Sequence, residues 1–342
     1  MTDKPQNKRK IVRSLFDSSY IARVILSEYS QLFSHVPETR LLRSGDNDNY
    51  AVETPDQQFS YIFRLTTANK YWLTRSTAIE FETSWLDFLN RKHCLVAAPV
   101  PRNSGRFVGK IRAPEGLRPF VLFKKMEGTH QELTVKFGRQ VGYELAHIHL
   151  VSDSFSTKWI PVCLDERWLV AKSLDNILKL SWPSAEDREF LKRLGAEHEA
   201  FLKALPRKGK VWGVIGGDFH QGNMFCGPDN RPRFFDFDHC GLGWRLFDLA
   251  TVKWDLMFSC HSTESWRPIW NSIYEAYSEK YSLNNVNDLM IDTFVEVRML
   301  WLLGAHAGTV DILGDLGGGY WAHFLPPLRS WVDTRRGHTQ NL

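Results

Sequence analysis

Apolar residues recur at helical spacing at Leu15, Ile21, Ile25 and Tyr29, so the first predicted element is a helix within 14–35. From 41 to 65 the pattern shortens to alternation, and "NYAVET" and "FSYIFRL" read as strands joined by a turn at "PDQQ". A helix over 77–92 follows; its inner stripe carries Ile79, Leu86 and Leu89, and Glu82 falls on the same stripe. "AAPVP" then reads as a strand-to-loop passage and "RPFVLFKKM" as a buried strand. After Gly128 the texture is helical. Phe137, Val141, Leu145 and Ile148 mark one helix ending near His149, and further helices are predicted over 165–180, 185–205, 246–282 and 287–303. Short strands and turns interrupt that series at 214–250.

A strand-rich first third followed by a helix-rich remainder predicts an α+β protein of two unequal lobes. The expected division is a first lobe over 1–123, a hinge at 124–128 and a second lobe over 129–342. With 342 residues, 43% of them apolar and 24% charged, there is ample material for a large core. The net charge of +4 is mild. The nearest basic stretch, "KPQNKRKIVR", is short and lacks interleaved aromatics, so no nucleic-acid partner is expected. No apolar run approaches the roughly 18 residues of a membrane span, and no signal-peptide pattern follows the early lysines. Five cysteines without CxxC spacing give neither a disulfide framework nor a zinc ribbon, and buried thiols are expected. These features predict a soluble, cytoplasmic chain with no membrane partner.

The chemistry concentrates in "VIGGDFHQGNMFCGPDNRPRFFDFDHCGLGWRLFDLA". Asp218, Asn223, Asp236 and Asp238 stand there between apolar runs that look ready to form a hairpin core. Burying carboxylates is costly unless a partner offsets the desolvation. Either they cap turns or something cationic sits among them. Phosphoryl transfer from ATP needs such a set: a carboxylate beside the accepting hydroxyl, hard oxygen ligands for magnesium, and a cation on the phosphates. Asp218 and Asn223 are five apart in one loop, and Asp236 lies on the strand returning from the "GPDN" turn. Arg64, on an early strand, is a candidate phosphate clamp. Glu82, among aliphatic residues, needs a partner, and Arg64 is the natural one; the plain alternative is an ordinary helix–strand salt bridge.

The segment "GGDFHQGNMF…RFFDFDHCGLGWRLFDLA" resembles the aminoglycoside phosphotransferase/choline kinase superfamily, whose signature runs His-Gly-Asp-x-His-x-x-Asn, a turn, Ile-Asp-Phe-Asp and Asp-Leu-Ala. The resemblance implies a bilobal protein-kinase-like fold and an ATP- and Mg2+-dependent transfer to a small-molecule hydroxyl. It implies that Asp218 is the catalytic aspartate, Asn223 and Asp236 are magnesium ligands, and Asp248 braces the catalytic loop. "RSGDNDNYAVET" is similar to the phosphate-covering hairpin, which places Asn47 and Asn49 at the nucleotide. "YIFRL" is similar to the strand bearing the nucleotide-contacting cation, Arg64, and "FETSWLDFL" to the helix supplying Glu82. "VLFKKMEG" resembles the adenine-cradling hinge, which assigns Lys125 and Met126. "LVAAPVP" and "YEAYSEKY…VRMLWLLG" look most like homoserine kinase-like enzymes and the bacterial stress-response kinase A. Two departures stand out. Gly216 replaces the signature's first histidine, which is expected to loosen the loop without removing the base. Arginine replaces lysine on the phosphate side, where its fork of donors suits phosphate.

Other residues carry plainer readings. Asp238 either reaches magnesium or substrate or holds the turn before Gly241. His220 either contacts the substrate phosphate or packs in its loop, and loop packing is the plainer reading. His147 and His149, two apart, lie on different helix faces and read as core or cap histidines. Leu316–Trp321, "LGGGYW", is either a loop over the substrate or a helix–helix connection. Acidic residues of the last helices, among them Glu264, Glu275, Glu279, Asp288, Asp292, Glu296, Asp311 and Asp315, are partly offset by Arg267, Lys280, Arg298 and Arg329. The expected face would suit an amino alcohol, amino sugar or homoserine-like acceptor. Two other activities fit the same residues: a protein Ser/Thr kinase of the stress-response type, and a nucleotide-binding pseudoenzyme permitted by Gly216.

Overall fold

The computed structural model describes residues 11–53, 61–68, 70, 77–259, 266–310 and 317–340. The turn expected at "PDQQ" lies outside them. The chain forms two compact units and crosses between them more than once, at 70/71, at 98/99 and between Lys125 and Met126.

The first unit comprises the described residues within 1–70 and 99–125. It contains helix α1 (Ser18–Glu28) and strands β1 (Glu38–Ser44), β2 (Asn47–Glu53), β3 (Tyr61–Thr66), β4 (Gly109–Ala113) and β5 (Gly116–Lys124). The strands form one antiparallel sheet in the order β1-β2-β3-β5-β4. Helix α1 is shorter than the pattern predicts because Asp17 caps it, accepting from the Ser19 and Tyr20 backbone N–H groups at 2.7 and 3.2 Å. Its buried Ile21 and Ile25 join Tyr50, Phe63, Phe120 and Leu122 in one core. Behind the β1–β2 hairpin, fully buried Asp48 accepts from Arg118 at 2.8 Å and from Arg13. Arg118 also donates to the Thr66 and Ser14 carbonyls. This network ties the hairpin to the sheet and to the N-terminal segment.

The second unit holds residues 71–98, 126–310 and 315–342. Its helices are α2 (Ala78–Arg91), α3 (Val135–Ser152), α4 (Lys172–Lys179), α5 (Ala185–Ala204), α6 (Arg245–Ser259), α7 (Trp266–Lys280), α8 (Asp288–Ala307) and α9 (Gly317–Gln340). Arg167–Ala171 forms a π-helical turn before α4, inside the helix predicted over 165–180. Among the described residues, five short strands complete the unit. Strands β6 (Cys163–Leu164), β10 (Gly241–Trp244) and β7 (Trp212–Ile215) make a three-stranded sheet, while β8 (Met224–Cys226) and β9 (Pro232–Phe234) pair alone. Helix α8 is buried on nearly every side from Ile291 to Ala305, so it is the unit's central element.

The C-terminal region departs from the sequence reading. Gly317–Trp321 belongs to α9, not to a connecting loop, and the helix continues through Pro326 and Pro327. Trp321, Leu325, Leu328 and Val332 are all buried at helical spacing, and that packing outweighs the local breakers. Of the cysteines, Cys94 and Cys240 are buried as expected, but Cys163 and Cys226 are only half-buried; these four are free thiols, and Cys260 lies outside the described residues. Among the described residues no helix is long and apolar enough to cross a membrane.

Candidate active site

The loop between β7 and β8 carries Asp218 and Asn223. Its entry is fixed by Asp248 in the first turn of α6, which is fully buried. One Asp248 oxygen accepts from Gly217 N at 2.7 Å; the other accepts from Gly216 N at 2.9 Å and lies 3.0 Å from His149 Nε2. His149 Nδ1 lies 2.7 Å from the Tyr277 hydroxyl. Burial pushes the His149 pKa down, against the pull of Asp248. The core reading of His149 is therefore accurate, and its function is to hold the brace. Further along, Asp255 accepts from Gln221 N at 2.7 Å and fixes the far side of the loop.

Gly216 and Gly217 are required by different constraints. Gly217 has φ +78°, where side chains are strained. At Gly216 the constraint is space: a Cβ there would stand 2.4 Å from the Phe219 ring. Phe219 is buried edge-to-face between Phe234 and Phe237, at centroid distances of 5.0 and 5.6 Å. The room a histidine side chain would need is filled by Phe219. The loosening expected from the missing histidine is thus countered by packing and by the Asp248 brace.

Asn223 donates through Nδ2 to the Asp218 carbonyl at 3.1 Å and to Asp218 Oδ2 at 3.2 Å. With its nitrogen committed to Asp218, its amide oxygen remains as a hard donor. The Asn223 carbonyl accepts from Phe235 N at 3.0 Å, which continues the β8–β9 pairing and sets Asp236 one residue beyond. Asp236 has φ 63°, a left-handed conformation uncommon for a residue other than glycine and frequent at functional sites. Among the described residues no group of three or more His, Cys, Asp or Glu side chains could hold a metal ion. An amide oxygen and a carboxylate fit a magnesium ion that draws its remaining ligands from phosphates and water.

The family-model comparison matches residues 38–282 to the phosphotransferase enzyme family. The chain belongs to that family. A Deinococcus radiodurans protein of uncharacterised function is 29% identical over 299 residues, covering 87% of this chain and 85% of that relative. The homoserine kinase of Rhizobium etli is 28% identical over 198 residues, 56% of each chain. Among solved structures, an amicoumacin kinase in complex with AMP-PNP, Ca2+ and Ami superposes with a TM-score of 0.74 at 18% identity, covering 93% of this chain and 94% of that one. The family match and this fold likeness place the chain among kinase-like phosphotransferases with an α+β architecture.

Within this phosphotransferase, one group near Asp218 was assigned to the wrong place by the sequence. Arg298 was expected to offset an acidic surface; it is 2% exposed and donates to Asp218 Oδ1 at 2.5 Å. His220, expected to pack in its loop, also stands 3.6 Å from Asp218 Oδ2. Burial opposes ionisation of Asp218, but Arg298, His220 and His239 outweigh it and hold the carboxyl far below the usual range. His220 is drawn upward by Asp218 and Asp255, although burial acts against it. Asp238 lies 3.6 Å from His239 Nε2, near the turn it was expected to hold.

The other candidates fall as follows. Arg64 is buried in β3, registered with Asn49 on β2 and Val121 on β5, and its guanidinium lies 4.8 Å from the centroid of the Phe123 ring. Asn47 is buried and accepts from Lys70 Nζ at 3.1 Å. Lys125 and Met126 follow β5, exposed and half-buried respectively. Glu82 is buried in α2. One turn on, Trp85 donates to Ser152 at 2.9 Å and packs edge-to-face on Phe237, next to Asp236. The acidic face expected on the last helices is offset only in part: Glu275 and Asp288 are exposed, and three of the others are paired. Glu279 pairs with Arg139, Asp292 with Lys253, and fully buried Glu296 with Arg335. Glu264, Asp311 and Asp315 lie outside the described residues.

Proposed function

We propose that this phosphotransferase moves the γ-phosphate of ATP, with magnesium, to a hydroxyl of a small amino alcohol, amino sugar or homoserine-like acceptor. The observation that carries this reading is the Asp218–Asn223 pair, braced by Asp248 and set beside Asp236 by the β8–β9 pairing. The names of the relatives, a homoserine kinase and an amicoumacin kinase, support a small-molecule acceptor.

Asp218 is held as a carboxylate, so it is a weak base before reaction and a strong acceptor of a hydrogen bond. That suits phosphoryl transfer, whose loose transition state needs an oriented acceptor more than early deprotonation. Asn223 fixes the orientation of Asp218 and, with Asp236, would hold magnesium. When bound, that ion would neutralise charge on the phosphates. Arg64, with Asn47, Asn49, Lys125, Glu82 and Met126, is proposed for the nucleotide, Arg64 facing phosphate. The free cysteines fit a reducing, cytoplasmic compartment.

The test is a panel of homoserine, 1-amino-2-propanol, choline and amino sugars with ATP and magnesium, read by ADP release and by the phosphorus spectrum of the product. One acceptor should release ADP with a matching phosphomonoester signal. ADP release with every alcohol at the rate seen with water alone would remove the small-molecule reading.

A further inference from the structure

Arg298 is a charged residue in a helix that is otherwise apolar from Phe294 to Leu303 apart from Glu296, and the proposed chemistry has so far given it no part. Its guanidinium is engaged on several sides. Nη2 donates to Asp218 Oδ1 at 2.5 Å and Nη1 to the Gly217 carbonyl at 3.3 Å. Three aromatic rings surround it: Trp301, Trp254 and Phe247, with centroids at 4.7, 5.1 and 6.0 Å. Aromatic cages of this kind recognise cations, commonly those of ligands. Here the cage holds a cation of the chain itself, and a guanidinium so enclosed has little freedom to swing.

The two oxygens of Asp218 are therefore unequal. Oδ1 is taken by Arg298. Oδ2 faces Asn223 Nδ2 at 3.2 Å and His220 Nε2 at 3.6 Å. A plain buried ion pair would satisfy the charge of Asp218 without selecting an oxygen. The second bond to the Gly217 carbonyl ties the same guanidinium to the backbone that presents Asp218.

We propose that Arg298 is a positioning residue: clamped by its aromatic cage, it fixes the Asp218 carboxylate so that Oδ2 is the oxygen offered to the acceptor hydroxyl. This rests on the reading of Asp218 as the catalytic carboxylate. In the transfer, the acceptor oxygen forms its bond to the γ-phosphorus as the bond from that phosphorus to the β–γ bridging oxygen breaks. The electron pair leaves with ADP, and the acceptor's proton passes to Oδ2. Arg298 touches none of the reacting atoms and acts only through Asp218. Lysine keeps the charge but has neither the planar fork nor the shape of the cage.

The experiment compares the full-length parent with Arg298→Lys and Arg298→Ala, using magnesium ATP as probe and ADP release to homoserine, 1-amino-2-propanol or water as readout. Arg298→Lys should retain its fold and its KM for ATP while kcat falls about a hundredfold, the usual cost of a misplaced reacting group. Arg298→Ala should fall at least as far and recover at least about tenfold with added guanidinium, which fits the emptied cage. Variants that lose thermal stability but keep kcat, or that raise KM alone, would overturn the positioning role. A parent that releases no ADP under any condition would instead defeat the phosphotransferase reading. In that case a crystal structure of Arg298→Lys still decides the placement of Asp218. A carboxylate turned away from Asn223 supports the clamp, and one left as in the parent refutes it.

Discussion

Gly216 is the most informative position at which to perturb this chain, because it breaks the family signature while its neighbours explain why. In Gly216→Ala the added methyl would lie 2.4 Å from Phe219 Cε2, 2.7 Å from Cζ and 3.1 Å from Cδ2. The ring has little room to retreat, since it is 3% exposed and wedged between Phe234 and Phe237. Overpacking of this kind costs about 1–3 kcal/mol. Each kcal/mol lowers Tm by about 2–4 °C in a large domain, so the expected fall is roughly 2–12 °C. Calorimetry on Gly216→Ala, Phe219→Leu and the double variant isolates the contact. Leucine vacates the ring position, so the double variant should be more stable than the sum of the single changes by at least about 1 kcal/mol. Additivity within about 0.5 kcal/mol, or an alanine variant as stable as the parent, would refute the steric explanation.

Three further outcomes follow from the same geometry. Asp248→Asn puts one amide NH2 where Asp248 oxygens now accept from Gly216, Gly217 and His149, and should cost about 3 kcal/mol or more by urea unfolding, with turnover falling alongside. His306 is pushed down to about 4, by burial first and by Arg298 and His239 as well, so its folded pKa lies below the unfolded value of about 6.5. The unfolded chain then binds the proton first, and this part of the stability is intact above about pH 6.5 and is lost as pH falls toward 4. Discounted for partial exposure, the parent should lose about 1 kcal/mol more than His306→Gln between roughly pH 7 and 5 in urea midpoints; equal losses would contradict the assignment. Asp236→Asn should fold normally, because asparagine tolerates the left-handed backbone at φ 63°, yet bind magnesium ATP more weakly by calorimetric titration.

How much of this the sequence disclosed depends on the range over which each feature is determined. Asp218, Asn223, Asp236 and Asp248 lie within one segment, so the family resemblance of that short stretch was enough to single out the candidate loop and its brace. The β2 and β3 strands and helices α2, α3 and α5 followed from periodicity for the same local reason. Arg298 did not. It meets Asp218 across 80 residues, and its charge was counted with an exposed face although the fold buries it. The signal was nevertheless present: an arginine inside "VEVRMLWLLG" has nowhere to go but a buried partner. Helix α9 was hidden because Gly317–Gly319 and Pro326–Pro327 argue locally against it, whereas burial of Trp321, Leu325, Leu328 and Val332 decides the matter at long range. The pairing of individual acidic residues has the same origin. Charges that look unopposed along the chain, such as Asp292 and Glu296, find Lys253 and Arg335 only after folding.

The central claim is that Asp218 orients the acceptor within a magnesium–nucleotide site. It is tested most directly by measuring ATP affinity, with and without magnesium, beside turnover for the parent and Asp218→Asn. The account predicts magnesium-dependent binding of similar strength in both proteins, and turnover about 10²–10⁴-fold lower in the variant. Turnover within a few-fold of the parent, or nucleotide affinity indifferent to magnesium, would contradict it.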